Sequence, residues 1–239
     1  MSKQQQQRSP DGNARTLPQA IVDLLRFHLA NTISIFGAVI VFVLLDRELY
    51  IYLPLVVALN LLADDLDGMV ARRLGAGSEF GRYLDLVCDA ASHAFLLMVV
   101  AVNHGVLSVM IAPVVLMSMF YRLSKSASQT IGKNNGTTTN EYIVSLQLVV
   151  AVELSWGVDL EYLLATLACF SILTLNSRLR VKTLRRVMSN KMLLVFDGFL
   201  ILGAFVPEIA LILLAMHMIP FLIGTLRVIS VKVYSRRKV

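Results

Sequence analysis

The chain has 239 residues, of which 56% are hydrophobic and only 16% are charged, with a formal net charge of +6 at pH 7. Its mean hydropathy of +0.70 excludes an ordinary soluble domain, in which roughly 45–50% of residues are apolar. The basic charge does not indicate nucleic-acid binding, because the basic residues lie in loops between apolar runs without interleaved aromatic residues. The composition therefore predicts an all-α integral membrane protein in contact with membrane lipid.

The N-terminal segment is polar and contains a run of glutamines. Residues 1–17 are predicted to form a disordered cytoplasmic tail, followed by a single membrane domain over residues 18–239. The start of that domain, PQAIVDLLRFHLA, places Ile21, Leu24 and Leu25 at helical spacing. This pattern indicates an interfacial amphipathic helix.

Eight apolar segments that follow are candidates for membrane-spanning helices. They cover residues 32–46, 50–71, 83–103, 106–124, 142–157, 160–176, 192–206 and 208–230. With the N-terminus in the cytoplasm, Arg47 is the only one of the 22 Lys and Arg residues that falls on the far side of the membrane. Because cytoplasmic loops carry an excess of Lys and Arg, this asymmetry predicts eight spans with both termini inside. We interpret the last two spans as an addition to a six-helix unit.

Four carboxylates lie where spans 2 and 3 approach each other, in the stretch DDLDGMVARRLGAGSEFGRYLDLVCD. Asp64 and Asp67 are three residues apart, and Asp85 and Asp89 are four apart, so each pair shares one face of a helix. A charged side chain at bilayer depth costs about 2.5–3.5 kcal/mol on insertion scales, and neighbouring carboxylates repel each other unless cations lie between them. Oxygen ligands of this kind suit Mg²⁺, Mn²⁺ or Ca²⁺. The spacing therefore predicts a metal site.

Smaller features of the same stretch fit a phosphate-containing ligand. Gly68 and Gly81 lie one turn from Asp64 and Asp85, where the absence of a Cβ allows close approach to the helix backbone. Arg72 shares the face of Gly68 and is suited to a bidentate contact with phosphate. Two other acids of this stretch, Asp65 and Glu79, are interpreted as charges solvated by the cytoplasm.

At these residues the chain resembles the CDP-alcohol phosphotransferase family. The family signature, D-x2-D-G-x2-A-R-x8-G-x3-D-x3-D, is matched at every fixed position over residues 64–89. The resemblance implies a six-helix core over roughly 20–176. It also implies that the metal ligands of two Mg²⁺ or Mn²⁺ ions are Asp64, Asp67, Asp85 and Asp89.

The resemblance further assigns roles in catalysis and nucleotide binding. Asp89 is expected to be the general base that takes the proton from the acceptor hydroxyl. The expected lining of the cytidine nucleotide pocket consists of Gly68, Ala71, Arg72 and Gly81. In span 1, LANTISIFG resembles a further family segment that matches at Asn31 and Ser34, with Ala30 in place of the usual proline. Asn31 is expected either to line the nucleotide pocket or to make an interhelical hydrogen bond.

The implied reaction transfers a phosphatidyl group from a CDP-alcohol lipid donor, most simply CDP-diacylglycerol, to the hydroxyl of a small polar alcohol, with release of CMP. It belongs to phospholipid biosynthesis and implies an active site facing the cytoplasm, in the cell inner membrane if the source is bacterial. The resemblance also suggests a homodimer.

The acceptor alcohol is less well defined by the sequence. Arg122, Lys125 and Lys133 are candidates for binding a phosphorylated acceptor such as glycerol 3-phosphate or inositol phosphate, or are simply positive-inside residues. The polar run over residues 135–140 is instead suited to a small zwitterion such as serine. Two further features favour the phosphatidylserine synthase branch, whose members resemble this chain in having two extra C-terminal helices and a serine at the position of Ser92. The Gly-Leu-Pro-x-Pro segment of that branch is absent.

Some remaining polar residues are not assigned to chemistry. His93 is interpreted as a core histidine, and Glu153 has no assigned role. Asp197 is expected to pair with a basic residue near the cytoplasmic end of span 7. The two cysteines, Cys88 and Cys169, lie in apolar segments and predict neither a disulfide nor a zinc site.

Two other classes of membrane protein use acidic residues in a similar setting. An intramembrane prenyltransferase binds a diphosphate through Mg²⁺, but its two acidic motifs lie far apart in sequence. An ion-coupled transporter usually places its acids near the bilayer midplane, whereas these four lie at helix ends. Both remain as alternatives on the sequence alone.

Overall fold

The computed structural model describes residues 17–75, 77–127, 139–175 and 184–236. All regular structure in these ranges is helical, which confirms the all-α prediction. The α-helices are α1 Leu17–Ile40, α2 Leu53–Leu74, α3 Glu79–Asn103, α4 Val106–Ala127, α5 Thr139–Trp156, α6 Glu161–Leu175, α7 Leu184–Val187, α8 Asn190–Gly203 and α9 Pro207–Arg236, with 3₁₀ segments at Val41–Leu45 and Arg47–Tyr52. The predicted N-terminal tail falls almost wholly outside the described residues.

Within the described ranges, five helical segments are long and apolar enough to cross a membrane. They are His28–Leu45, Arg47–Leu74, Glu79–Asn103, Val106–Lys125 and Pro207–Gly224. Many large apolar side chains on these helices are exposed, such as Phe36, Met110 and Ile223. Such a surface fits a lipid environment rather than water. The protein is therefore an integral membrane protein, while the count of eight spans stays a prediction because α5, α6 and α8 are not among these five.

The N-terminal part of the bundle differs from the predicted division into an interfacial helix and a first span. The predicted amphipathic segment and the first predicted span form one continuous helix, α1. The helix then tightens into the 3₁₀ segment Val41–Leu45 before Asp46. No Gly or Pro interrupts residues 19–36, so nothing in the backbone forces a break between an interfacial helix and a span.

A short turn joins α2 to α3 and sets the two pairs of aspartates opposite each other. Gly75 ends α2 with φ 63°, in the left-handed region, and its N–H donates to the carbonyl groups of Ala71 and Arg72. Ser78 is the N-cap of α3, and its hydroxyl accepts a hydrogen bond from the N–H of Gly81 at 2.9 Å. Because both of these helix ends are capped, the C-terminal end of α2 and the N-terminal end of α3 are well defined.

The centre of the bundle is α5, whose residues 141–152 are all buried. It packs against α2, α6 and α9. On its other sides α2 packs against α1 and α8. The C-terminal helices α8 and α9 therefore contact the central helices directly and share one hydrophobic core with α2 and α5.

Candidate active site

The cluster of acidic side chains predicted from the sequence is present in the structure. Carboxylate oxygens of Asp64, Asp67 and Asp85 all lie within 4.8 Å of one another. The first two come from the C-terminal half of α2 and the third comes from the second turn of α3. Three carboxylates this close repel each other unless a cation or protons compensate them, and together they offer enough oxygen ligands to hold a divalent ion.

The fourth predicted aspartate lies beside the other three at a small cavity between the helices. Asp89 lies one turn beyond Asp85 on α3 and lines this cavity together with Asp64, Asp67 and Asp85. The other lining residues come from α1, α2 and α3 and include Ser34, Asn60 and Cys88. The two predicted pairs of aspartates thus face one space between the helices.

Hydrogen bonds from two neighbouring helices orient the carboxylates on α2. The hydroxyl of Ser34, on α1, donates to Oδ2 of Asp67. The side-chain amide of Asn140, on α5, donates to Oδ2 of Asp64. Sequence reasoning matched Ser34 to a family segment without giving it a role, and it gave Asn140 no contact with the aspartates. The only signal for Asn140 was its place in a polar run, and it lies 76 residues from Asp64.

A cleft of about 210 Å³ opens beside the acidic cluster. Its lining includes Asp67 and Asp85 of the cluster. It also includes all five residues that the sequence assigned to nucleotide binding, namely Asn31, Gly68, Ala71, Arg72 and Gly81. Gly68, Ala71 and Arg72 lie on α2, as does Asp67. The remaining lining comes from α1, α3 and the turn before α3. The structure therefore brings the predicted nucleotide residues together at one opening.

The two glycines of this cleft leave room that a side chain would fill. A Cβ at Gly81 would lie 3.2 Å from Oδ1 of Asn31 and 3.2 Å from Oγ of Ser78. A Cβ at Gly68 would lie 3.2 Å from Nη1 of Arg72. All three separations are tighter than an ordinary van der Waals contact. An alanine at either position would therefore displace a polar group that faces the cleft.

The sequence interpretation of Asp65 as a solvated charge is wrong. Its side chain is only 16% exposed and forms an ion pair with Nη2 of Arg185, on α7. The guanidinium also contacts Oδ1 of Asp197, on α8, at 3.1 Å, which confirms that Asp197 pairs with a basic residue. A distant arginine could not be assigned from local spacing, because it lies 120 residues from Asp65. Glu79, by contrast, is exposed in the first turn of α3, as expected.

The candidates for acceptor binding are only partly within the described residues. Arg122 lies on α4 and is buried, and the ammonium group of Lys125 lies 4.0 Å from the ring centroid of Tyr121. Lys133 and residues 135–138 lie outside the described part of the chain. The hydroxyl of Ser92 donates to the backbone carbonyl of Asp89 at 3.3 Å. An acceptor role for these residues stays a prediction.

The other polar residues without an assigned role have structural positions. His93 is 1% exposed, which agrees with a core histidine. Glu153 lies near the opposite end of the bundle and pairs with Nε2 of His104 at 2.8 Å. Both cysteines are free.

The long apolar helices, the acidic residues gathered between two of them and the adjoining polar cleft define an integral membrane enzyme with a candidate metal site. The model of the CDP-alcohol phosphatidyltransferase family matches residues 27–234. The chain therefore belongs to that family. A search of curated proteins returned no match.

Family membership settles the class of reaction. The protein is a transferase of substituted phosphate groups that acts on a CDP-alcohol, in phospholipid biosynthesis. Divalent metal use is a property of this family, and the Asp64, Asp67 and Asp85 cluster is able to bind such an ion. The prenyltransferase and transporter alternatives are set aside by this match.

Proposed function

We propose that the chain transfers the phosphatidyl group of CDP-diacylglycerol to the hydroxyl of serine, with release of CMP. The observation that carries the proposal is the arrangement of the acidic cluster and the cleft. Four aspartates surround one small cavity, and the adjoining cleft is lined by all five predicted nucleotide residues. A diphosphate bound across this junction would have its cytidine in the cleft and its scissile phosphate at the aspartates.

The residues of the cluster fit two divalent ions. Asp64, Asp67 and Asp85 provide oxygen ligands within 4.8 Å of one another, and Asp89 adds a fourth carboxylate beside them. Hard oxygen ligands of this type favour Mg²⁺ or Mn²⁺. Bound there, the ions would neutralise charge on the diphosphate and stabilise the leaving phosphate.

The side chains around the cluster would position and activate the substrates. The guanidinium of Arg72, in the cleft, would hold a phosphate of the nucleotide. Asp89 would accept the proton of the acceptor hydroxyl, since a carboxylate within hydrogen-bond reach can act as general base. The acceptor oxygen then forms a bond to the β-phosphorus, the bond from that phosphorus to the bridging oxygen breaks, and CMP leaves with that oxygen.

The membrane setting supports a cytoplasmic active site. The cluster and cleft lie at the ends of α2 and α3 that also carry Arg72, Arg73 and Arg82, and clusters of basic residues favour the cytoplasmic side. A water-soluble nucleotide head and a lipid tail can meet at that interface. We also propose a homodimer and, for a bacterial source, the cell inner membrane. These proposals rest on family resemblance.

Serine is proposed as the acceptor because of the C-terminal helices and Ser92. In this chain α8 packs against α2, which carries Asp64 and Asp67, and α9 packs against α5, which carries Asn140. Glycerol 3-phosphate, inositol and inositol phosphate are the alternatives, supported by Arg122 and Lys125 on α4.

The test is a panel of acceptors offered to the purified full-length protein with CDP-diacylglycerol and Mn²⁺ or Mg²⁺. We expect CMP release coupled to formation of phosphatidylserine when serine is added. Product formed with another acceptor and not with serine would contradict the choice of acceptor alone. No turnover with any acceptor, or with a soluble CDP-alcohol and diacylglycerol, would contradict the proposed function.

A further inference from the structure

A buried group of charges connects the C-terminal part of the chain to the catalytic helix. Arg185, on α7, contacts Asp65 on α2 through Nη2 and Asp197 on α8 through Nη1. The side chains of Arg185 and Asp197 are 7% and 0% exposed, respectively. One guanidinium therefore joins three helices in a region with little access to solvent.

Arginine suits this position better than any other residue. Its planar guanidinium presents several N–H donors in a fixed fork and remains charged when buried. Removing one partner of a buried ion pair is strongly destabilising, because an uncompensated charge remains.

The position of Asp65 in the sequence links this group to catalysis. Asp65 directly follows Asp64, and successive residues of an α-helix point about 100° apart around the axis. Asp64 faces the acidic cavity, whereas Asp65 faces α7 and Arg185. Holding Asp65 therefore fixes the rotation of α2 about its axis, and with it the direction in which Asp64 and Asp67 point.

The acidic end of α2 is then held from three directions. Ser34 on α1 holds Asp67, Asn140 on α5 holds Asp64, and Arg185 on α7 holds Asp65. The first two bonds reach the predicted metal ligands themselves, while the third acts on the helix between them. Residues that hydrogen-bond directly to metal ligands typically change metal affinity or activity by about 10–100-fold when they are replaced. For the indirect contact through Asp65 we expect the lower end of this range.

We propose that Arg185 is a positioning residue that uses Asp65 to set the orientation of the metal-binding carboxylates on α2, and that Asp197 anchors it to α8. This inference rests on the proposed metal site. It assigns a function to the short helix α7 and to α8, which lie outside the 64–89 signature.

The test compares Mn²⁺ binding by the detergent-solubilised full-length protein with thermal unfolding and CMP release. Asp65→Asn/Arg185→Gln removes the link to α2 without changing the net charge. We expect its Mn²⁺ dissociation constant, measured by electron paramagnetic resonance, to rise about tenfold. Asp197→Asn retains the contact between Arg185 and Asp65, so its Mn²⁺ affinity should stay near the wild-type value even if its unfolding temperature falls.

The matched control is His104→Gln/Glu153→Gln, which removes a partly buried pair of polar side chains near the opposite end of the bundle. It should lower thermal stability and leave Mn²⁺ affinity unchanged. If Asp65→Asn/Arg185→Gln does not fold, Arg185→Lys supplies the comparison, since a single ammonium group cannot reproduce the two contacts of the fork; a weaker Mn²⁺ affinity is again expected.

The positioning role is overturned if the variant that loses the link to α2 binds Mn²⁺ as tightly as wild type, or loses no more affinity than the control. Failure of the proposed function has a different signature. In that case wild-type protein would release no CMP, whatever the contrast in Mn²⁺ affinity between the variants.

Discussion

Individual side chains show which parts of the site a sequence can reveal. The aspartates at 64, 67, 85 and 89 were predictable because they recur at helical spacing within one hairpin. Asn140 and Arg185 were not, because their partners lie 76 and 120 residues away. Local periodicity reports the face of a helix, whereas contacts between distant helices depend on the packing of the whole bundle.

The hydrogen bond from Ser34 to Asp67 gives a prediction about metal binding. Ser34→Ala removes a donor to a buried carboxylate and leaves Asp67 free to adopt other rotamers. We expect the Mn²⁺ concentration for half-maximal activity to rise about tenfold, with a loss of about 1 kcal/mol in the free energy of unfolding. Activity titrations with Mn²⁺ and thermal unfolding measure the two effects.

A neighbouring residue on α1 provides the control for that experiment. The hydroxyl of Thr32 is exposed and donates to the carbonyl of His28 within its own helix, at 2.8 Å. Thr32→Ala should therefore leave the Mn²⁺ dependence unchanged. Equal effects of Thr32→Ala and Ser34→Ala would show that the contact with Asp67 is not responsible.

At the scale of helices, the position of Ser34 depends on close packing between α1 and α2. The side-chain amide of Asn60, on α2, donates to the carbonyl of Gly37, on α1, at 2.9 Å. A Cβ at Gly37 would lie 2.7 Å from the Cβ of Ala63. The two helices therefore approach so closely at Gly37 that only glycine fits there. This contact lies one turn from Ser34 on α1 and next to Asp64 on α2.

Gly37→Ala should separate these helices and disturb the site. We expect a loss of about 1–3 kcal/mol in the free energy of unfolding, as is typical of overpacking, together with lower CMP release. Gly198→Ala is the matched control, because a Cβ there has no neighbour within 4 Å among the described residues. A Gly37→Ala protein with wild-type stability and activity would contradict the close packing described for this pair.

Helix boundaries show what sequence patterns predicted at this scale. The α2–α3 hairpin was expected from a short loop between two apolar runs, and Gly75 and Ser78 form its caps as such residues commonly do. The continuous helix α1 was not expected, because its amphipathic and apolar parts have different periodicity. A change in the polarity of a helix surface does not by itself end the helix.

For the whole molecule, the sequence predicted the class of fold and missed the arrangement of its last helices. High hydropathy and long apolar runs indicated a helical membrane protein. The C-terminal pair was interpreted as an addition to a six-helix unit, and nothing in the sequence indicated that α8 packs against α2 and α9 against the central helix α5. Such contacts depend on which faces of buried helices meet. Residues 141–152 of α5 are all buried, and the helix shows no single apolar face from which its neighbours could be predicted.

The central claim is that four aspartates at the ends of α2 and α3 form the metal-dependent reaction site of a CDP-alcohol phosphatidyltransferase. Its most direct test is CMP release from CDP-diacylglycerol by wild-type protein and by Asp89→Asn, each with and without a chelator. We predict that the chelator abolishes wild-type release, that Mn²⁺ restores it, and that Asp89→Asn lowers it by about 10²–10⁴-fold, as expected for loss of a general base, while the protein remains folded. Release that persists in the chelator, or that is unchanged in Asp89→Asn, would contradict the claim.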